Sequence, residues 1–491
     1  MKQPAILLFA LSFLLAPPRA AEKERHTALF TRAVVTVEVT RRQYDYIQPW
    51  SKRVEHFQKT GIISGKDEIL TTAEFLADQT LIRIQKGGRG KWWLGKVVWV
   101  DYYANLGIVR PMDPAFWNET EPLLLAETAP KAGDVELVRW RNGNLEIRKA
   151  DINRAVVKRG KLSFVEHVQL DVDTEANGTG WGEAIVLENK LVGITSSKEE
   201  HGCTAIPSSF IRSCLENRQK SVERGLGFFA FVWERAENPE TLEYLRLEGE
   251  PRGVIVISVP PDLGPGTVKT RDILLQIDGF DIDTEGDYND PDYGHLSLEN
   301  LASRQRWAGD TVKIKVWRDG KMMDVSYVLP KASYNVDLVP EELFDQEPEY
   351  VLLGGWLFQP LSHPFLRSWG ADWSRKAPFR LSYYTKEKAK KDRPSLVILS
   401  LVLPDAINVG YQDARYLAVD RLNGQPIRRL ADLLDAKKRP IDGFHILEFR
   451  EGESVRRMVL DAREAESATD RILKRYNIEN DHVIRDTLDQ K

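Results

Sequence analysis

The stretch Gly178–Ser197, GTGWGEAIVLENKLVGITSS, decides the fold. Glycines stand at 178, 180 and 182, where they free the backbone to turn tightly. Two apolar runs follow on either side of Glu188-Asn189-Lys190, the pattern of a β-hairpin. The segment is therefore a glycine-rich loop that feeds a hairpin. Working outward, the same short β-type runs recur from about Ala33 to about Ile206. VVTVEV, GIISG, EILTTA, TLIRIQ, GKVVWVD, NLGIVRP, VELVRW and CTAIP are separated by Gly, Asp, Asn and Pro. That density predicts an all-β barrel or sandwich region. PSSFIRSCLENRQK (207–220) then reads as a helix, with Ser208 or Ser209 as cap.

The 491 residues are too many for one core and predict about three domains. The formal net charge of −4 gives the whole chain no electrostatic footprint for nucleic acid or an anionic membrane. At the N-terminus, Lys2 precedes an apolar run of twelve residues, Ala5–Ala16, broken only by Ser12 and too short to span a bilayer. PPRAA follows. Residues 1–20 read as a secretory signal peptide cut near Ala20 or Ala21, which predicts a periplasmic or secreted protein with no stable membrane span. Cys203 and Cys214, on a strand and the following helix, read as two unpaired structural thiols.

Beyond the first helix, two blocks echo each other. Each opens on a Gly-rich turn into an apolar strand, RGLGFFAFVW (224–233) and LLGGWLFQP (352–360). Each later carries a strand-then-turn, LLQIDGFDI (274–282) and LAVDRLNGQPI (417–427), and ends in a pair of strands. An internal duplication is the simplest reading. AREAESATDRILKRYNIEN, at the end, reads as an amphipathic helix with a frayed end.

In their order and spacing these motifs resemble the HtrA/Deg serine endopeptidases, in the branch with a trypsin-like domain and two PDZ domains. GIISGKDEILTTAEFLADQT (61–80) resembles the strand-turn-strand ahead of the catalytic histidine. VVWVDYYANLGIVRP (97–111) resembles the aspartate segment, and 168–194 the serine loop with its hairpin. GLGF (225–228) resembles a PDZ carboxylate-binding loop. The resemblance implies a mainly β chain: a trypsin-like double β-barrel (chymotrypsin fold), then two PDZ domains. The expected boundaries are signal peptide 1–20, degenerate protease domain 21–218, first PDZ domain 219–335, second PDZ domain 346–463 and helical tail 464–491. It also implies a homo-oligomer, since the family commonly forms trimers.

The triad positions depart from the family pattern. Where the family has Leu-Thr-X-Ala-His, this chain has Leu70-Thr71-Thr72-Ala73-Glu74. Where it has Asp before Leu-Ala, this chain has Asn105-Leu106-Gly107. Where it has Gly-Asn-Ser-Gly-Gly-Pro, this chain has Gly178-Thr179-Gly180-Trp181-Gly182-Glu183, with the serine position at Gly180 or, by a one-residue slip, at Trp181. A hydroxyl needs an imidazole to take its proton, and the imidazole needs a carboxylate to hold it. Gly180 has no hydroxyl, a carboxylate like that of Glu74 is a poor base at neutral pH, and Asn105 carries no charge. Trp181, where the family has glycine, is expected to restrict the oxyanion turn and to pack as core over the former site. Glu74 and Asn105 are expected to hydrogen-bond each other where His and Asp once did.

The expected function is peptide or protein binding without hydrolysis, through PDZ grooves that take partner C-termini or unfolded clients. Gly225, Leu226, Gly227, Phe228 and Phe229 are the expected peptide-binding residues: the glycines allow a backbone N–H nest, Leu226 and Phe228 line a pocket, and Phe229 to Trp233 continue as an edge strand. In the second block Trp356 is positioned to fill its own pocket. The rival readings are an active endopeptidase and a purely structural subunit. Asp281–Asp292 matches half of a calcium loop but lacks its closing glutamate, and KEKAKKDRP (386–394) is a basic run; both read as solvated loops. No cofactor, metal cluster or nucleic-acid motif is expected.

Overall fold

A computed structural model describes residues 18–260, 267–334 and 337–485. The signal-peptide reading falls almost wholly outside these residues, and Pro18–Ala33 form a helix. No described helix is long and apolar enough to cross a membrane.

The chain is mainly β. The first barrel comprises β1 (Val34–Tyr44), β2 (Lys52–Gly65), β3 (Glu68–Thr71), β4 (Gln79–Lys86), β5 (Trp92–Asp101) and β6 (Leu106–Pro111), closed in the order β1-β2-β3-β6-β5-β4. The second comprises β7 (Gly133–Arg141), β8 (Asn144–Arg159), β9 (Glu166–Thr174), β10 (Ala184–Leu187), β11 (Lys190–Lys198) and β12 (Gly202–Pro207), closed in the order β10-β11-β12-β9-β8-β7. This is the trypsin-like double barrel. Closure leaves no free sheet edge. Leu137, Ile152, Leu170, Ile185, Val192 and Ala205 fill the second barrel. The hairpin read in the sequence is β10–β11, with Leu187 opposite Lys190. Its two turn residues, Glu188 and Asn189, have φ of 49° and 60°, the positive pair that a two-residue hairpin turn needs. Helix Ser208–Arg218 follows, and Cys203 and Cys214 are buried free thiols.

The chain divides into two compact units. The first holds residues up to Glu38, Gln58–Glu74 and Leu81–Pro330. Besides barrel residues it contains a sheet of Val232–Arg235, Val254–Ser258, Ile273–Ile277, Thr311–Arg318 and Lys321–Val328 in that order. Segments between its strands touch the second barrel and the helix after it: the Val168 N–H donates to Asn300 Oδ1 at 3.1 Å, and Ser209 Oγ lies 2.9 Å from Tyr293 Oη.

The second unit holds Val39–Phe57, Phe75–Thr80 and Lys331 onward. Its sheet runs Trp356–Pro360, Val397–Val402, Leu417–Leu422, Phe444–Phe449, Arg457–Asp461. That is the same path as in the first unit, with a two-residue ribbon paired to the third strand in both, as a duplication requires. Two strands are added at the second sheet's first edge: Tyr350–Leu353 pairs with Trp356–Pro360, and His482–Val483 pairs with Tyr350–Leu353.

Two expectations are corrected here. The helix Ala462–Tyr476 is not a tail beyond residue 463: Ala465, Ala468 and Ile472 are fully buried, and Thr469 Oγ1 accepts the Gly354 N–H at 2.8 Å. Residues 281–292 are not a solvated loop either. They lead into a hairpin, Asp287–Asp290 with Gly294–Ser297, in which Asp290 is buried and paired with Arg304 at 2.7 Å.

Candidate functional site

The glycine loop lies where the two barrels meet. The Trp181 carbonyl accepts the Thr60 N–H of β2 at 3.0 Å, and the Gly182 N–H donates to the Thr195 carbonyl of β11 at 3.2 Å. Gly180 has φ 98°, a region that disfavours any Cβ. A Cβ there would lie 2.6 Å from the Ser197 carbonyl carbon and 2.7 Å from the Lys198 nitrogen, both backbone atoms that cannot swing aside. The loop as folded has no room for a serine at 180.

Glu183 explains the loop's shape. It is only 2% exposed, and its Oε2 accepts the N–H groups of Gly180 at 3.0 Å and Trp181 at 2.8 Å. The same oxygen accepts the Thr195 hydroxyl, whose Oγ1 in turn accepts the Glu183 N–H at 2.9 Å. Its Oε1 accepts Arg139 Nη1 at 3.3 Å. Arg139 is itself buried and bonds Glu146 at 3.0 Å, the Gly178 carbonyl at 2.9 Å and the Asn177 carbonyl at 2.8 Å. A buried carboxylate thus occupies the loop's donors, and a buried guanidinium balances it. An open cleft of about 990 Å3 borders Gly178 and Thr179, walled by charges of both signs that include Arg141, Lys149, Asp173 and Glu199.

The sequence places Glu74 and Asn105 together, and the structure does too. The bond runs from the Glu74 backbone N–H to Asn105 Oδ1, at 3.1 Å. Asn105 is 1% exposed, and its Nδ2 has no partner among the described residues. The Glu74 carboxylate lies 3.7 Å from Lys161 Nζ. Trp181 is half-buried, not the core residue expected, and its backbone is held by Glu183 and Thr60.

Lys59 has no counterpart in the sequence reading. Its Nζ is enclosed and donates to the Thr72 carbonyl at 2.7 Å, Thr72 Oγ1 at 2.6 Å and the Glu74 carbonyl at 2.7 Å. Burial pushes its pKa down to about 7, against the pull of the negative charges on Glu74 and Glu183. A lysine so tuned is able to serve as a base, but Thr72, the hydroxyl it touches, is fully buried.

In the first unit Leu226 and Gly227 are buried, and Phe228, Phe229 and Gly225 are half-buried. The Gly225 carbonyl accepts the Ala308 N–H at 2.9 Å. Gly227 is required by close packing: a Cβ would meet Leu329 Cβ at 2.8 Å. Phe228 packs edge-on to Phe164 at 5.0 Å, and Phe229 stacks on Phe231 at 5.2 Å. The expected edge strand from Phe229 begins only at Val232, because Tyr327 Oη takes the Ala230 N–H at 2.9 Å. Among the described residues, Val232–Arg235 is nevertheless the outermost strand of its sheet. In the second unit the corresponding edge, on Trp356–Pro360, is already paired with Tyr350–Leu353, and Trp356 is fully buried in the core.

Residues 339–483 match the model of a PDZ domain family. Along 92% of its length the chain is 27% identical to Protease Do-like 2, chloroplastic, of Arabidopsis thaliana, covering 75% of that protein. It is a homologue of the HtrA/Deg proteases. Protease Do-like 4, mitochondrial, from the same plant, is 24% identical over 85% of this chain and 79% of its own. A solved structure, the HtrA-type protease AlgW with decapeptide, covers 62% of this chain and 98% of its own at 17% identity and a TM-score of 0.45.

The features that sequence reasoning missed in this HtrA/Deg homologue are Glu183, Arg139 and Lys59. Glu183 had a readable signal, since it replaces the proline of the family's loop motif. Arg139 and Lys59 had none, because each lies far along the chain from the loop it supports.

Proposed function

We propose that this HtrA/Deg homologue binds peptides or unfolded proteins without hydrolysing them. The observation that carries the reading is Glu183: an internal carboxylate sits on the N–H groups of Gly180 and Trp181, donors of the loop that an acyl-transfer enzyme aims at its oxyanion. Glu74, Asn105 and Gly180 replace the triad, and no described hydroxyl near them is both basic-assisted and accessible. Binding is assigned to residues 219–335, a first PDZ domain. Its strand Val232–Arg235 is the edge for β-augmentation, and Gly225, Leu226, Gly227, Phe228 and Phe229 form the loop beside it. The second PDZ domain is closed at the corresponding edge by Tyr350–Leu353. Export rests on Lys2 and the apolar run Ala5–Ala16, and a homo-oligomer on the family resemblance.

The test pairs two assays on the purified protein. Unfolded casein should remain intact, while a C-terminal apolar peptide should bind in its free-acid form and lose most of that binding when amidated. Casein turnover would refute the non-hydrolytic reading. Equal binding of acid and amide would refute the groove.

A further inference from the structure

Between the strands Trp356–Pro360 and Val397–Val402 the second unit carries an insertion of short helices, His363–Leu366, Trp373–Lys376 and Phe379–Tyr384, and the loop after them. The last helix is anchored by Leu381, which is fully buried with Phe365, Ala377 and Leu396. Its opposite face is unusual. Phe379 is 82% exposed and Tyr383, one turn on, 56% exposed, with ring centroids 6.5 Å apart. The turn continues, since the Lys386 N–H bonds the Tyr383 carbonyl, so Phe379, Tyr383 and Lys386 share one face.

The charge around them is one-sided. Residues 363–393 hold nine Lys or Arg against three Asp or Glu, a net +6 in a chain whose total is −4. Arg367, Arg380, Lys388 and Arg393 are partnered by Glu342, Glu453, Asp337 and Asp420. Lys376, Lys386, Lys390 and Lys391 are exposed and have no carboxylate within ion-pair distance among the described residues. The basic run that reads as a solvated loop therefore borders two exposed aromatic rings.

We propose that the face of Phe379, Tyr383 and Lys386, with the exposed Lys376, Lys390 and Lys391 of the same segment, docks the protein on an anionic phospholipid bilayer. The rings are exposed side by side on one helical turn, as on an element that inserts between headgroups. The free cations are all lysine, point charges suited to a diffuse negative surface, whereas a discrete phosphate or carboxylate is better matched by the fork of arginine. The whole-chain charge hid this patch because acidic residues elsewhere outweigh it.

The experiment sediments the full chain with vesicles of phosphatidylcholine alone, or with roughly one third phosphatidylglycerol. Binding is expected only to the anionic vesicles and should be lost at about 0.5 M salt. At about fivefold per lysine, Lys386→Gln/Lys390→Gln/Lys391→Gln should weaken partition on the order of 100-fold. Phe379→Ser should weaken it about tenfold, as the burial of one large ring implies. Both variants change exposed side chains, and unchanged thermal melting would show that they remain folded. The proposal is overturned if anionic vesicles do not bind the parent, or if neither variant weakens binding. It is equally overturned if polyglutamate binds as tightly as vesicles and Phe379→Ser has no effect, for then the partner is an acidic polypeptide.

Discussion

Replacing Glu183 by alanine should loosen the glycine-rich loop from Gly178 to Gly182. The change removes the acceptor for Gly180 N–H and Trp181 N–H, at 3.0 and 2.8 Å, and the buried partner of Arg139 at 3.3 Å. Two charge-assisted bonds contribute about 1.5–3 kcal/mol each, and breaking a buried ion pair costs about 3–5 kcal/mol. These figures are not additive, because the bonds share one carboxylate. Arg139 also keeps Glu146 and two carbonyls, so its charge is not orphaned. A loss of about 3 kcal/mol follows, equivalent to roughly a 100-fold fall in local protection. Hydrogen exchange read at the Gly180 and Trp181 amides measures it directly, with urea denaturation as a global check. Glu183→Gln, which keeps an acceptor oxygen, should lose about half as much. Alanine exchange within a few-fold of the parent would refute the claim that Glu183 holds the loop.

Restoring the triad by Glu74→His, Asn105→Asp and Gly180→Ser should give no casein turnover and should lower the urea midpoint, since a Cβ at 180 meets backbone 2.6 Å away; turnover by the triple variant would show that the loop can open. Gly227→Val should abolish binding of free-acid peptides, because its side chain would collide with Leu329; retained binding at a micromolar Kd, about −8 kcal/mol, would place the groove elsewhere. A pH dependence is expected from Asp78, whose backbone N–H donates to Asp345 Oδ1 at 2.8 Å. Burial first, and then the Asp345 charge, push its carboxyl up to about 6 from 3.8. The folded state then binds more protons than the unfolded state between these values, so this group's contribution to stability falls as pH rises through that window. Asp78→Asn should raise the denaturation midpoint at pH 7 and leave it unchanged below pH 4; equal effects at both would refute the assignment.

Much of the architecture was legible because local patterns and tertiary pairing agree. The apolar runs around Glu188-Asn189 became β10–β11, and the repeated strand-and-turn pattern of the two blocks became two sheets with one path. Glu74 and Asn105 were legible as neighbours through the spacing of the family motifs. Other features depend on contacts remote in sequence. Ala462–Tyr476 has the periodicity of a surface helix, yet it becomes core because Gly354 and Gly355 leave space for Thr469 and Ile472 against the sheet. Asp290 read as part of an acidic loop until Arg304, fourteen residues on, was placed beside it at 2.7 Å. Lys386 to Lys391 read as a solvated run because nothing in their own sequence shows Phe379 and Tyr383 facing outward.

The central claim is that the barrels hold no working nucleophile. The most direct measurement is intact-mass analysis of the full chain after incubation with a fluorophosphonate serine-hydrolase probe. The unmodified mass is the expected result, at neutral and at alkaline pH, where Lys59 is uncharged. A mass increase of one probe adduct that is lost on Thr179→Ala would contradict the claim and identify an unconventional nucleophile in the glycine loop.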